Sequence, residues 1–235
     1  MNRTMKVAVI HGSPRKGNTY KAARIFMGEL ALRGGVEFVE FLVPQALPMF
    51  CTGCQLCLGN PNEMCPHSEY VTPILNALLK ADAIIVASPH YGGSSIPGGL
   101  KNLFDHLSFL SLPIAPREEM FSQKAFVITT GTGSTGAIKL IRETLKGWGV
   151  NRVYAIGLRM FTDKWDMMPT SKQARFDRVL RRNAQAFRRA KHRRAYISTV
   201  FMYYMAKLVI RKYIGENGYP YRYWDKRGWL GRRPF

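Results

Sequence analysis

The chain has 235 residues, of which 46% are hydrophobic, so it can bury a full core as one α/β domain with an extension. Its 35 Lys and Arg outnumber 15 Asp and Glu, and residues 175–235 hold 17 of these cations but only 3 of the acids. The apolar run after Lys6 is too short for a secretory signal and lacks a cleavage site, so we expect a cytoplasmic protein without disulfides.

Apolar runs typical of buried strands alternate with helical patterns along most of the chain. The predicted strands are residues 7–10, 36–42, 83–87, 125–130 and 153–158, and the predicted helices are 19–33, 73–79, 97–110, 137–148 and 175–191. Five such units predict an α/β protein with a parallel sheet covered by helices on both faces. Their order resembles the three-layer, doubly wound flavodoxin-like fold, which binds its ligand at the carboxyl ends of the strands. We assign residues 1–174 to this domain and residues 175–235 to a basic extension.

The first loop, residues 11–19, joins the first strand to the first helix and is a candidate anion site. Backbone N–H groups and the positive end of the helix dipole converge there. Asn18 stands where a P-loop has its lysine, which argues against triphosphate hydrolysis, and Pro14 replaces the second glycine of a dinucleotide fingerprint. A single terminal phosphate, as on FMN, fits better, and an ordinary helix cap is the alternative. The residues that could contribute are Ser13, Arg15, Lys16, Gly17, Asn18 and Thr19.

Two later loops follow the third and fourth strands. In residues 88–95, Pro89, Gly92 and Gly93 predict a turn whose backbone can approach a flavin ring, and Tyr91 offers an aromatic face. Residues 129–136 contain a literal G-x-G-x-x-G, but it follows the fourth strand rather than opening the first βαβ unit. The edge of a flavin pocket is the simpler interpretation, and a role in admitting a nicotinamide cofactor stays open.

Three segments together resemble the signatures of the NADPH-dependent FMN reductase family: residues 12–19, residues 88–91, and Lys101 with Asp105. The resemblance spans roughly residues 5–160 and implies an FMN-dependent oxidoreductase that uses NAD(P)H and forms a dimer or tetramer. The FMN-binding residues that it implies are Ser13, Arg15, Gly17, Asn18, Thr19, Pro89, His90, Tyr91, Gly92, Gly131 and Gly133. Lys101 and Asp105 are treated as structural, since His106 stands where the family has an arginine. No side chain is assigned as a catalytic acid or base.

All four cysteines lie in a loop predicted at residues 44–67, as Cys51-Thr-Gly-Cys54-Gln-Leu-Cys57 and Cys65. This overlapping spacing lets three thiolates wrap one face of a compact cluster and a fourth close it, whereas zinc sites more often use two separate C-x-x-C pairs. It also resembles the iron-sulfur flavoproteins, a branch of the same family, which implies a 4Fe-4S cluster that accepts electrons from FMN. The alternatives are reduced packing cysteines or a redox-active thiol pair, in a cluster-free reductase of flavin, quinones or nitro compounds.

The basic extension contains three patterns. Phe176, Val179, Leu180 and Phe187 predict a helix that docks one face on the sheet, and the uncharged run 195–206 is too short to span a bilayer, which needs about twenty residues. Beyond Gly215, aromatic residues alternate with cations, namely Tyr219, Tyr221, Tyr223, Trp224 and Trp229 with Arg222, Lys226, Arg227, Arg232 and Arg233. This composition suits a membrane surface, a nucleic acid or an acidic redox partner, while an arm packed on its own subunit or a neighbour is the alternative. The alternative to an oxidoreductase is therefore a nucleic-acid-binding protein that has a flavodoxin-like scaffold.

Overall fold

Five parallel strands form the centre of the structure, a computed structural model that describes residues 4–32, 34–59, 65–93, 95–190 and 195–235. The strands are β1 (Met5–His11), β2 (Val36–Leu42), β3 (Ala83–Pro89), β4 (Lys124–Gly131) and β5 (Arg152–Arg159). Their order across the sheet is β2-β1-β3-β4-β5, with every pair parallel. The predicted flavodoxin-like fold is therefore confirmed. Four of the strands extend past the apolar runs because their first or last residues are polar or glycine.

Helices cover both faces of the sheet. They are α1 (Asn18–Ala31), the single turn α2 (Leu56–Gly59), α3 (Ser68–Lys80), α4 (Gly98–His106), α5 (Thr135–Gly147) and α6 (Thr170–Arg189). Helices α3, α4 and α5 pack on one face of the sheet, and α1 and α6 pack on the other. This arrangement leaves the loops at the carboxyl ends of the strands free to form a site.

Three predicted helix boundaries are wrong for identifiable reasons. Helix α3 begins at Ser68 and contains Pro73 in its interior, although proline is favoured in the first turn. Helix α4 ends at His106, and a separate 3₁₀ turn follows at Ser108–Leu110. Helix α6 begins at Thr170, directly after Pro169, because its first turn is polar and lacks the apolar periodicity of the rest. Arg33, residues 60–64, Ser94 and residues 191–194, which fall within predicted elements or loops, lie outside the described residues.

The extension folds onto its own chain. Helix α6 buries Phe176, Leu180 and Phe187 in the core of the sheet, as predicted. After it come α7 (Ile197–Val209), a π-helical turn (Ile210–Ile214) and α8 (Tyr219–Lys226). These elements form a third apolar cluster with the segment before β4, and this cluster buries Tyr203, Tyr223, Trp224 and Trp229.

Several aromatic residues of the distal arm are buried against its own chain. The hydroxyl of Tyr223 donates to the carbonyl oxygen of Pro116 at 2.6 Å. The hydroxyl of Tyr203 donates to the carbonyl oxygen of Trp229 at 2.5 Å. Tyr223, Trp224 and Trp229 therefore belong to an intramolecular core. Among the described residues, no helix combines the length and apolar character needed to cross a bilayer.

Candidate functional site

Loops from four strands meet at the carboxyl edge of the sheet. The backbone N–H of His90, after β3, donates to the carbonyl oxygen of Thr130 at 2.8 Å, which extends the pairing of β3 with β4. The N–H of Met160, after β5, donates to the carbonyl oxygen of Gly131 at 2.9 Å. Hydrogen bonds therefore join successive loops and hold the edge of the sheet in a defined shape.

The first loop leaves β1 in close contact with its neighbours. The N–H of Gly12 donates to the carbonyl oxygen of Ala87 at 2.8 Å. A Cβ atom at Gly12 would lie 2.8 Å from Cδ2 of Leu100 and 3.3 Å from Cβ of Ser88, so glycine is needed here for a close approach. The loop then turns outward, and Pro14 to Gly17 are exposed.

The amino terminus of α1 is held by side chains but is not capped by one. The side-chain amide of Asn18 donates to the carbonyl oxygen of Thr162 at 2.8 Å, and the hydroxyls of Thr19 and Thr130 lie 2.5 Å apart. Gly17 occupies the cap position without a side-chain hydrogen bond. The first-turn N–H groups of α1 are therefore open to an external acceptor, while the side chains of Asn18 and Thr19 tie the loops together.

Ser13 and Arg15 complete the first loop. The backbone N–H of Arg15 donates to the hydroxyl oxygen of Ser13 at 3.2 Å, which closes a small turn. Arg15 is exposed. This short loop therefore offers an anion the backbone N–H groups at the start of α1, the Ser13 hydroxyl and the Arg15 cation.

The second loop is a narrow hairpin. Tyr91 and Ser95 exchange two backbone hydrogen bonds of 2.9 and 3.0 Å, and Gly93 adopts a left-handed φ of 65° between them. Pro89 ends β3 half-buried, Gly92 is exposed, and the side chain of Tyr91 is 59% exposed. The predicted turn is present, and it presents an aromatic ring at the rim of the site.

His90 packs the second loop onto the third. A Cβ at Gly133 would lie 3.1 Å from Nε2 of His90, and one at Gly131 would lie 3.0 Å from Cβ of His90. Gly131 also has a φ of 145°, which side-chain-bearing residues rarely adopt. Nδ1 of His90 is buried and has no partner among the described residues, and the same holds for the hydroxyls of Thr129 and Thr162. Unsatisfied polar atoms of this kind fit a site that binds a polar ligand.

The four cysteine thiols line a single cavity of about 70 Å3 between the cysteine loop and α4. Cys51 and Cys54 are exposed, and Cys57 and Cys65 are half-buried. Burial raises the pKa of the Cys57 thiol, and the neighbouring thiols of Cys65, Cys51 and Cys54 raise this pKa further because thiolates repel one another. Burial likewise raises the pKa of Cys65. A cationic centre would relieve this repulsion, since metal binding favours the thiolate form.

Two residues with left-handed backbone conformations shape the cysteine loop. Gly53 and Gln55 adopt φ angles of 68° and 60°, so the chain turns sharply between Cys51 and Cys57. Helix α2 begins at Leu56, directly after this turn. The described residues thus place all four predicted ligands around one cavity, as four-cysteine ligation requires.

Two histidines that the sequence analysis did not assign also line this cavity. Nδ1 of His67 lies 3.1 Å from Nε2 of His106, and one ligand atom from each of Cys65, His67 and His106 falls within 4.8 Å of the others. His67 follows Cys65 closely along the chain, but His106 is on α4. Helix α4 thus contacts the Cys65 end of the loop through His106 and the Cys51 end through Asn102. Lys101 and Asp105, which the sequence analysis treats as structural, form an ion pair on α4.

Sequence comparisons agree with this geometry. The family model of NADPH-dependent FMN reductases matches residues 5–163. An iron-sulfur flavoprotein of Methanocaldococcus jannaschii is 37% identical over 141 residues, which cover 59% of this chain and 70% of that protein. An iron-sulfur flavoprotein of Archaeoglobus fulgidus is 28% identical over 66% of this chain and 71% of its own length. A second Methanocaldococcus jannaschii iron-sulfur flavoprotein, 34% identical, is matched over half of its length.

Solved structures share the fold at low sequence identity. An NAD(P)H:quinone oxidoreductase from Methanothermobacter marburgensis superposes with a TM-score of 0.62 and 18% identity, over 80% of this chain and all of that one. An NADH:FMN oxidoreductase superposes with a TM-score of 0.55 and 19% identity, over 83% of this chain and 96% of that one. At this level of identity the similarity shows the flavodoxin-like fold alone.

Proposed function

Since the chain belongs to the NADPH-dependent FMN reductase family, we propose that this FMN-dependent oxidoreductase passes electrons from NAD(P)H or a reduced carrier through FMN to a 4Fe-4S cluster. The ligands in this proposal are Cys51, Cys54, Cys57 and Cys65. The observation that carries it is the single small cavity that these four thiols line. The relatives named iron-sulfur flavoproteins support the same assignment.

The residues at the carboxyl edge of the sheet fit FMN. The uncapped terminus of α1 with Ser13, Arg15 and Gly17 suits a terminal phosphate, because backbone N–H groups without a side-chain cap and one exposed cation lie in the same short loop. The hairpin with Pro89, Tyr91 and Gly92 and the glycines at 131 and 133 suit a flat ring, and His90 holds these two loops together. FMN supplies the chemistry, since it accepts a hydride as an electron pair and releases electrons singly.

The protein supplies positioning. Asn18 and Thr19 fix the start of α1 against the loops after β5 and β4, so the anion site and the ring site keep a constant separation. Tyr91 lies exposed at the rim, where a nicotinamide or another donor would arrive. Hydride transfer to a flavin depends chiefly on such positioning, so no acid or base is required from a side chain.

Helix α4 connects the two proposed sites. It begins at Gly98, shortly after the hairpin, and ends at His106 in the cysteine cavity. Nine residues of α-helix span only about 13 Å, so the flavin loops and the cysteines are neighbours on one rigid element. This arrangement suits transfer of electrons between a flavin and a cluster.

The proposal is tested by purifying the chain without oxygen and measuring flavin, iron and acid-labile sulfide. We expect one FMN and about four iron atoms per chain, as four-cysteine ligation implies, and bleaching of both chromophores by NADPH or a reduced carrier. The variant Cys57→Ser should lose iron and keep FMN. The variant Ser122→Ala, a surface change far from the cysteines in the sequence, serves as the control. FMN without iron in the parent chain would refute the cluster and leave a reductase that uses flavin alone.

A further inference from the structure

Helix α7 exposes an apolar face that the proposed redox function does not use. Its exposed side chains include Ile197, Phe201, Tyr204, Met205 and Leu208, of which Ile197 is 84% and Phe201 is 65% exposed. At 100° per residue these five positions fall within one third of the helix circumference. They therefore form a continuous stripe along the whole helix.

The opposite face of α7 is also apolar but is already occupied. Thr199, Tyr203, Ala206 and Ile210 are buried, the last three of them in the third apolar cluster. A helix that is apolar on two faces pairs one face with its own domain and leaves the other for a further contact. An exposed stripe of this kind marks an interaction surface.

The charge around the stripe indicates what it contacts. The exposed cations Arg211 and Lys212 lie in the π-helical turn after α7. Residues 195–235 contain eight Lys and Arg but only two acidic residues. Two copies of this chain meeting through α7 would bring like charges together, which opposes association. Apart from the hydroxyl of Tyr204, the stripe offers no hydrogen bond to phosphates or base edges, so it does not fit a nucleic-acid duplex. An anionic lipid surface fits both the apolar stripe and the excess of cations, because the stripe can be buried among acyl chains and the headgroups attract the cations.

We propose that α7 is an interfacial helix that docks the protein on an anionic membrane surface, with Ile197, Phe201 and Leu208 in the lipid and Lys212 at the headgroups. Tyr196, Tyr204 and Tyr213 are also exposed here, and tyrosine is enriched at the boundary between lipid and water. The helix lies on the surface and does not cross the membrane.

The position of α7 leaves the proposed redox site accessible. The backbone N–H of Tyr196 donates to the side-chain oxygen of Asn151 at 2.7 Å, and the hydroxyl of Thr199 donates to the backbone oxygen of Asn151 at 3.2 Å. Asn151 directly precedes β5, so α7 begins near the amino ends of the strands. The flavin loops are at the carboxyl ends. Docking through α7 therefore turns the redox site away from the membrane.

The experiment is co-sedimentation of the full chain with phosphatidylcholine vesicles that contain or lack phosphatidylglycerol. We expect binding only with phosphatidylglycerol, and weaker binding at high salt. The variant F201S/L208S should bind at least about tenfold more weakly, because two large apolar side chains leave the lipid. The variant Lys212→Gln should bind about fivefold more weakly at low salt. Leu32→Ser with Met167→Ser is the matched control, since both side chains are exposed outside α7.

Several outcomes would overturn the proposal. Vesicle binding that F201S/L208S leaves unchanged would exclude α7, and so would the absence of binding by the parent chain. Light scattering that shows a dimer which F201S/L208S dissociates, without vesicle binding, would assign the stripe to a second copy. Salt-sensitive binding to a DNA duplex without vesicle binding would assign the extension to nucleic acid. Circular dichroism checks that the variants are folded, and the assay requires neither flavin nor iron.

Discussion

The side-chain oxygen of Asn102 accepts a hydrogen bond of 2.8 Å from the backbone N–H of Cys51. The side-chain nitrogen of the same residue donates to the carbonyl oxygen of Met49 at 2.9 Å. Asn102 is only 5% exposed, and one turn later Nδ1 of His106 lies 3.0 Å from the carbonyl oxygen of Asn102. Because His106 also contacts His67, α4 holds the cysteine loop at both of its ends.

We predict that Asn102→Ala lowers the iron content of the anaerobically purified chain and leaves FMN bound. The substitution leaves the N–H of Cys51 and the carbonyl of Met49 without their side-chain partner, which costs about 1–3 kcal/mol of unfolding free energy. The proposed cluster should also shift its midpoint potential, because the thiol of Cys51 loses its fixed position. Iron analysis and a redox titration followed by electron paramagnetic resonance measure both effects.

Two variants separate positioning from general destabilisation. Asn102→Gln keeps both the acceptor for Cys51 and the donor to Met49 on a longer side chain, so it should restore part of the iron. Lys139→Ala changes an exposed cation of α5 that does not line the cysteine cavity, and it should retain all of the iron. If Asn102→Ala unfolds more easily but keeps the iron content and potential of the parent chain, Asn102 stabilises α4 alone.

The sequence was sufficient to predict the sheet, because its central strands are buried on both faces and contain continuous apolar runs. Val7 to Ile10 and Ala83 to Ala87 show this directly. Helix ends were less accurate, since Pro73 and the polar turn after Pro169 interrupt the apolar periodicity on which the prediction depended.

The cysteines could be predicted as a group because all four lie within fifteen residues. The residues that hold the cysteine loop in place could not be predicted from the sequence. Asn102 and His106 are about fifty residues away from Cys51 in the sequence, and they are polar positions on a helix that was recognised by its apolar face. Asn18 and Thr19 were predicted as phosphate ligands, but their side chains bond Thr162 and Thr130, a pairing that only the folded sheet creates.

We predict that Arg15→Ala weakens FMN binding about fivefold and leaves riboflavin binding unchanged, because an exposed cation at a phosphate site contributes about 1 kcal/mol. Riboflavin lacks the phosphate and serves as the internal reference. Lys21→Ala is the matched control, since Lys21 is an exposed cation of α1 that pairs with Asp166. Titration of the apoprotein with each flavin by fluorescence quenching gives the dissociation constants. Equal weakening for both flavins would place Arg15 at the ring and not at the phosphate.

Gly131→Ala should weaken FMN and riboflavin binding alike, by about tenfold or more. The new Cβ would lie 3.0 Å from Cβ of His90, and the φ of 145° would be strained for alanine, so His90 and the hairpin must move. Gly147→Ala, where the Cβ has no neighbour within 4 Å, is the control and should bind as the parent does. The same fluorescence titration measures both variants. Unchanged affinity in Gly131→Ala would show that the third loop does not border the flavin.

Lys124 links the start of β4 to the end of α6. Its Nζ donates to the carbonyl oxygens of Phe187 and Ala190, the latter at 2.8 Å, although the residue is only 8% exposed. Burial, with a smaller contribution from the charge of Arg188, lowers the pKa of Lys124 from 10.5 to about 8. Between these two values the unfolded chain binds more protons at this site than the folded chain does. This group therefore makes the free energy of unfolding rise with pH across that window.

We predict that the stability of the parent chain relative to Lys124→Met increases by about 1–3 kcal/mol between pH of about 8 and about 10.5. The methionine side chain keeps a similar length and does not titrate, so the difference between the two proteins isolates Lys124 from the tyrosines and cysteines that ionise in the same range. Urea unfolding curves at a series of pH values give this difference. A difference that stays constant across the window would mean that the carbonyl oxygens at the end of α6 keep the ammonium charged in the folded protein.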